Sequence, residues 1–173
     1  MNSNRPPGII PLLLAASVVL ATPAQEKTRR AEPPIQPPTA EQPRPALLPE
    51  GTRVLRDLEY VPGGHERQKL DLYLPEKGAQ LPLIVWVHGG AFRAGSKDQC
   101  PAVWFLREGY AVASINYRLS QHAIFPAQIE DCKAAIRWLR AKAVQYGIDP
   151  NRVGAWGSSA GGHLVAMLGV TGD

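Results

Sequence analysis

From Arg53 to Val61, and again from Lys69 to Leu74, apolar and polar residues alternate with a period of two, the pattern of strands with one buried face. Pro62-Gly63-Gly64 between them predicts a tight, hairpin-like connection. Leu81–Val87, reading LPLIVWV, is apolar without alternation, as a central strand covered on both sides is. Tyr110–Asn116 and Arg152–Trp156 share that character. A longer period governs the stretch between them. Ile129, Cys132, Ile136, Leu139, Ala143 and Tyr146 recur at three- and four-residue steps, with Glu130, Lys133, Arg137 and Arg140 on the other side. This predicts one amphipathic helix that starts after Pro126 and ends at Gly147. A shorter helix is expected over Pro101–Glu108, stopped by Gly109, and an apolar one over His163–Gly169. The element order predicts an α/β fold: an antiparallel entry hairpin, then right-handed βαβ units, giving a mostly parallel sheet with helices on both faces. There is no internal repeat.

The first 50 residues follow a different pattern. Arg5 precedes an apolar run from Gly8 to Ala21, and small residues follow at Ala21, Thr22 and Ala24. The run is shorter than the ~20 apolar residues that span a bilayer, and Pro11 interrupts it. Residues 1–24 are therefore expected to be a cleaved signal peptide, and the protein to be exported, periplasmic or extracellular, without a stable membrane span. Eight of the 17 prolines lie between Pro23 and Glu50 among polar residues. Such a segment cannot bury enough apolar surface to fold, so residues 25–50 read as a semi-rigid linker and residues 51–173 as the folded part.

Charge narrows the partners. The net charge of +4 falls to +3 over residues 51–173, where 14 Lys and Arg face 11 Asp and Glu without a basic stripe. Nucleic-acid binding is not expected. Cys132 falls on the apolar face of the long helix and reads as a buried thiol; a Cys100–Cys132 bridge, chemically permitted outside the cytoplasm, is the alternative. With four histidines and no CxxC or HxxxH pair, no zinc site is expected.

Two motifs carry chemistry. Gly157-Ser158-Ser159-Ala160-Gly161-Gly162 follows the last strand and opens the last helix, the strand-turn-helix setting of a nucleophile elbow. Small neighbours let strand and helix close together while Ser159 projects at a helix N-terminus, where developing negative charge is favoured. His88-Gly89-Gly90-Ala91-Phe92 directly follows Leu81–Val87. There the main-chain N–H groups of Gly89, Gly90 and Ala91, with that of Ala160, are candidates for binding an oxyanion. Alone, either motif also reads as a plain turn; together and in this order they favour chemistry.

The strings IVWVHGGAF, INYRLS, FPAQIEDCKAAIRWLRA and YGIDPNRVGAWGSSAGGHLVA resemble the esterase and lipase members of the α/β-hydrolase superfamily, near its hormone-sensitive-lipase-like and feruloyl- or acetylxylan-esterase-like groups. The likeness spans about residues 53–173. It implies hydrolysis of small or polysaccharide-linked carboxylic esters by a Ser-His-Asp triad, with Ser159 as nucleophile and no metal or organic cofactor. It also implies that Arg118 and Asp131 form a structural pair. Ala91 departs from the usual third glycine and is expected to narrow the acyl site. In this superfamily the acid and then the His follow the Ser along the chain, yet only 14 residues follow Ser159. His65, His88 and His163 are poorly placed to act as base, and chain order argues against His122. The expectation is thus an α/β-hydrolase domain truncated after the nucleophile helix, nearly inactive on its own. An amidase or formamidase of the same fold and a non-catalytic module are the alternatives.

Overall fold

The computed structural model describes residues 48–172. The signal-peptide reading of 1–24 and nearly all of the 25–50 linker lie outside the described residues. Strands β1 (Arg53–Glu59), β2 (Lys69–Leu74), β3 (Leu81–Val87), β4 (Ala111–Ile115) and β5 (Ile148–Gly157) form one sheet in the order β1-β2-β4-β3-β5. β1 and β2 pair antiparallel, as the entry hairpin requires, and β2 pairs antiparallel to β4. β4, β3 and β5 run parallel. The parallel part is where the chain alternates strand and helix; the antiparallel part belongs to the hairpin.

Alternation along β3 splits its side chains between two cores. Leu83, Val85 and Val87 join Leu70, Leu72, Ala113 and Ile115 beneath α1 (Ala127–Ala141) and α3 (Ala160–Val170), which contribute Ile129, Cys132, Leu139 and Leu164. On the opposite face Trp86, Tyr73 and Val112 pack on Ala102, Val103 and Leu106 of the segment Pro101–Glu108. Each large side chain buried this way contributes about 1.5–3 kcal/mol. The helices thus cover both faces, as expected. Cys132 lies in the first core and Cys100 packs against the second, and both are free thiols.

Several boundaries differ from the sequence reading for identifiable reasons. Pro101–Glu108 is a 3-10 helix, whose three-residue turn stacks Val103 with Leu106. The long helix breaks at Lys142 (φ −98°, ψ 5°), and a short helix α2 (Ala143–Tyr146) follows. The break keeps Ala143 in the core and presents the Gly147 carbonyl to the Leu81 N–H at 2.8 Å. β5 begins four residues earlier than expected, because Ile148 pairs with Leu81 before an excursion through Asp149-Pro150 rejoins β3 at Val153. β2 is buried on both faces, so the polar half of its alternation, Asp71 and Tyr73, faces protein rather than water.

Candidate active site

The sheet order places the carboxyl ends of β3 and β5 side by side, with Val87 opposite Gly157. β3's own connection leads to β4 on its other side, so a crevice opens where the two connections diverge, the usual position for a site in such sheets. The two motifs sit at this crevice.

Ser159 occupies φ 50°, ψ −118°, a left-handed region that costs a non-glycine residue about 1–3 kcal/mol. It is the N-cap of α3, yet its hydroxyl makes no capping bond and remains exposed. Backbone bonds hold the turn: the Ser158 N–H donates to Val87 O, Gly161 to Ser158 O and His163 to Ser159 O. Close approach does the rest. A Cβ on Gly157 would sit 2.5 Å from the Gly161 carbonyl, and one on Gly161 would sit 2.1 Å from Val87 O. The sequence expectation that these two glycines let strand and helix meet is thus met by the backbone itself.

The His88–Lys97 loop lies over this turn. A Cβ on Gly89 would fall 2.7 Å from Ser158 O and 3.3 Å from the Ser159 Cβ. Gly90, Ala91 and Phe92 follow with φ of 111°, 52° and 61°, and the Gly90 carbonyl accepts from the N–H groups of Arg93 and Ala94. Among the described residues, the N–H groups of Gly89, Gly90, Ala91 and Ala160 find no protein acceptor. The structure therefore brings together Ser159, Gly89 and the neighbouring free amides that the sequence singled out.

Behind the loop lies a polar layer in which His88 was expected from the sequence but Arg67, Asn116, Tyr117 and Lys97 were not. His88 is buried, stacks on Tyr117 at 4.5 Å, and its Nδ1 lies 2.7 Å from Gly89 O. Tyr117 donates its hydroxyl to His88 O at 3.0 Å, and burial pushes that phenol up to about 12. Arg67 donates to Tyr117 O, Gly95 O and Asn116 Oδ1 and lies 3.1 Å from His88 Nε2. Burial, with Arg67 adding to it, holds the His88 imidazole below its usual value, against the bond to Gly89. At the loop's far end Lys97 is buried against Asp71 (2.8 Å) and Asp57 (2.9 Å), while its N–H donates to Asn116 Oδ1. Burial pulls the ammonium down, but the two carboxylates outweigh it and hold it above the ordinary lysine range. Among the described residues every buried side-chain polar atom has a partner.

Arg118 and Asp131 form the expected structural pair: the guanidinium donates to both carboxylate oxygens at 2.7 and 2.9 Å, and Gln68 supplies a further donor. The four histidines separate in role. His88 backs the loop and His163 packs its edge against Phe92 at 6.0 Å. His65 and His122 lie 4.7 Å apart with their rings tilted by 41° and, with Glu66, form the one group among the described residues whose ligand atoms converge as a metal site would need. Their hydrogen bonds oppose that use. Each Nδ1 accepts a backbone N–H, from Arg67 and from Leu119, which puts the neutral ring's proton on Nε2. A ligating imidazole has the reverse arrangement, with the free nitrogen bound to metal and the other donating. Beside the loop, a cavity of about 360 Å³ is lined by Phe92, Ser120, Ile124, Phe125, His163 and Leu164, among others.

A sheet of this order with a strained serine between β5 and α3, overlaid by a glycine loop from β3, is the frame of the α/β-hydrolase esterases. The chain belongs to the BD-FAE family, whose model matches residues 70–173. It is 37% identical over 144 residues to Esterase LipC of Mycobacterium tuberculosis, a match covering 76% of this chain and 35% of LipC. Among solved structures it resembles a truncated carbohydrate esterase from gut microbiota at TM-score 0.64 and 40% identity, covering 69% of this chain and 44% of that one. Esterase B of Lactobacillus rhamnosis is similar at TM-score 0.62 and 33% identity, with 70% and 41% covered. The chain thus spans less than half the length of these relatives.

Proposed function

We propose that the protein hydrolyses carboxylic esters through an acyl-enzyme formed on Ser159. The observation that carries this reading is Ser159 held at φ 50° with its hydroxyl exposed and uncommitted, directly beneath Gly89. Ser159 Oγ attacks the ester carbonyl, the alcohol leaves, and water then releases the acid. The charge that develops on the carbonyl oxygen meets the N–H of Ala160 and those of Gly90 and Ala91. One such donor is commonly worth about 3 kcal/mol in the transition state. The dipole of α3 adds to this field. Among the described residues no imidazole hydrogen-bonds the Ser159 hydroxyl.

The esterases among the relatives support ester substrates, and the carbohydrate esterase supports acyl groups carried on a saccharide. The apolar start of the chain supports action outside the cytoplasm. In the full-length protein, turnover of short p-nitrophenyl esters is expected to fall about a millionfold in Ser159→Ala. Unchanged turnover would remove Ser159 from the reaction. Release of acetate from acetylated xylan, compared with a soluble acetate ester, tests the saccharide preference.

A further inference from the structure

Two groups beside His88 fix where its proton sits. The Arg67 guanidinium can only donate, and its Nη2, which shares two protons among Gly95 O, Asn116 Oδ1 and His88 Nε2, lies 3.1 Å from that nitrogen and disfavours a second N–H there. The Gly89 carbonyl can only accept, so at 2.7 Å it requires Nδ1 to donate. Both demands are met by one neutral tautomer, with the proton on Nδ1. The consequence reaches the next peptide. The Gly89–Gly90 unit is planar and trans, so its C=O and N–H point in opposite directions. With the carbonyl drawn back onto the buried imidazole, the Gly90 N–H is aimed away from it, on a peptide whose Gly89 Cα packs over Ser159. The same Nη2 of Arg67 also donates to Gly95 O, and a Cβ on Gly95 would fall 2.4 Å from both Gly89 O and His88 Nδ1. One guanidinium group therefore clamps both ends of the loop at the point where it folds back on itself.

We infer that Arg67 is a positioning residue for the oxyanion loop, fixing the His88 proton on Nδ1 and, through the Gly89 carbonyl, the outward aim of the Gly90 N–H. The inference rests on the ester-hydrolase reading for its effect on rate, but its first step is measured without turnover. Arg67 reaches this position from the β1–β2 connection, some twenty residues before the motif it serves. Its grip is not a general structural contact that any long side chain could provide. A lysine could still donate to Nε2 but could not hold Tyr117 O and Gly95 O as well, because it lacks the planar fork of donors.

The test uses the full-length protein with 15N-labelled histidine. The wild-type His88 ring is expected to show a protonated Nδ1 and an unprotonated Nε2 near neutral pH. In Arg67→Met that signature should mix with the other tautomer or the doubly protonated ring. The kcat for an ester should fall about tenfold to a hundredfold with KM little changed, and Arg67→Lys should recover part of the loss. A proton on Nε2 in the wild-type ring would overturn the proposal. So would an Arg67→Met protein that melts at lower temperature yet keeps its kcat, the mark of a purely structural role. If Arg67→Met does not fold, the wild-type ring and the graded loss in Arg67→Lys decide in the same directions. A wild-type protein that hydrolyses no ester would remove the functional reading, while the tautomer measurement would still stand or fall separately.

Discussion

Two loops meet at Ser159, and they are held by different means. The elbow from Gly157 to Gly161 has almost no side-chain polar contacts; its shape comes from a strained serine and from backbone packed so tightly that a single added carbon at Gly161 would lie 2.1 Å from Val87 O. The loop from His88 to Lys97 is held by polar side chains: Arg67, Asn116, Tyr117 and the Lys97–Asp71 pair all bind its backbone or its own residues. In the proposed reading a nucleophile must not drift, and steric contact restrains its backbone. Oxyanion donors have to be aimed, and hydrogen bonds supply direction where packing supplies only distance.

The contrast predicts that damage separates stability from reactivity. The largest stability loss should come from Asp71→Ala, which takes the fully buried carboxylate from Lys97, leaving its ammonium only the exposed Asp57 and Asp98, and leaves the Asp57 N–H without its acceptor. Breaking a buried pair outright costs about 3–5 kcal/mol; with Asp57 still in place the loss should lie near the lower end, read as a fall in the denaturation midpoint. The folded fraction should still react at Ser159, since the elbow does not depend on this pair. Gly161→Ala should cost less, about 1–3 kcal/mol for forcing a carbon into packed backbone. It should nevertheless suppress reaction at Ser159 in molecules that remain folded, because α3 can relieve the clash only by moving off β3. If Asp71→Ala abolished reactivity per folded molecule while Gly161→Ala spared it, the two loops would have been assigned the wrong supports.

The sequence and the structure agree most closely where one periodicity decides the matter. LPLIVWV is β3 to the residue, and KLDLYL is β2 to the residue. Agreement fails where geometry depends on a distant partner. Pro150 gives no sign that Ile148 pairs with Leu81 on the far side of the excursion, and nothing in AKAVQYG marks the break at Lys142. The site divides in the same way. The candidates Ser159, Gly89, Gly90, Ala91 and Ala160 could be singled out because local backbone constraints write themselves as glycine and small residues beside a strand end. Arg67, Lys97 and Asp71 were not, since an isolated charge in a loop or on the polar half of a strand looks solvated until the fold supplies its counterpart. Asp71 and Lys97 are 26 positions apart, and only the pairing of β2 with β4 brings them together.

The central claim is that Ser159 is the nucleophile of an esterase site. A fluorophosphonate probe added to the full-length protein, followed by peptide mapping of the adduct, tests it most directly. The account predicts a single adduct on Ser159, slowed strongly by Gly161→Ala and only slightly by Asp71→Ala. An adduct on Ser158 or elsewhere, or no adduct from a folded full-length protein, would contradict it.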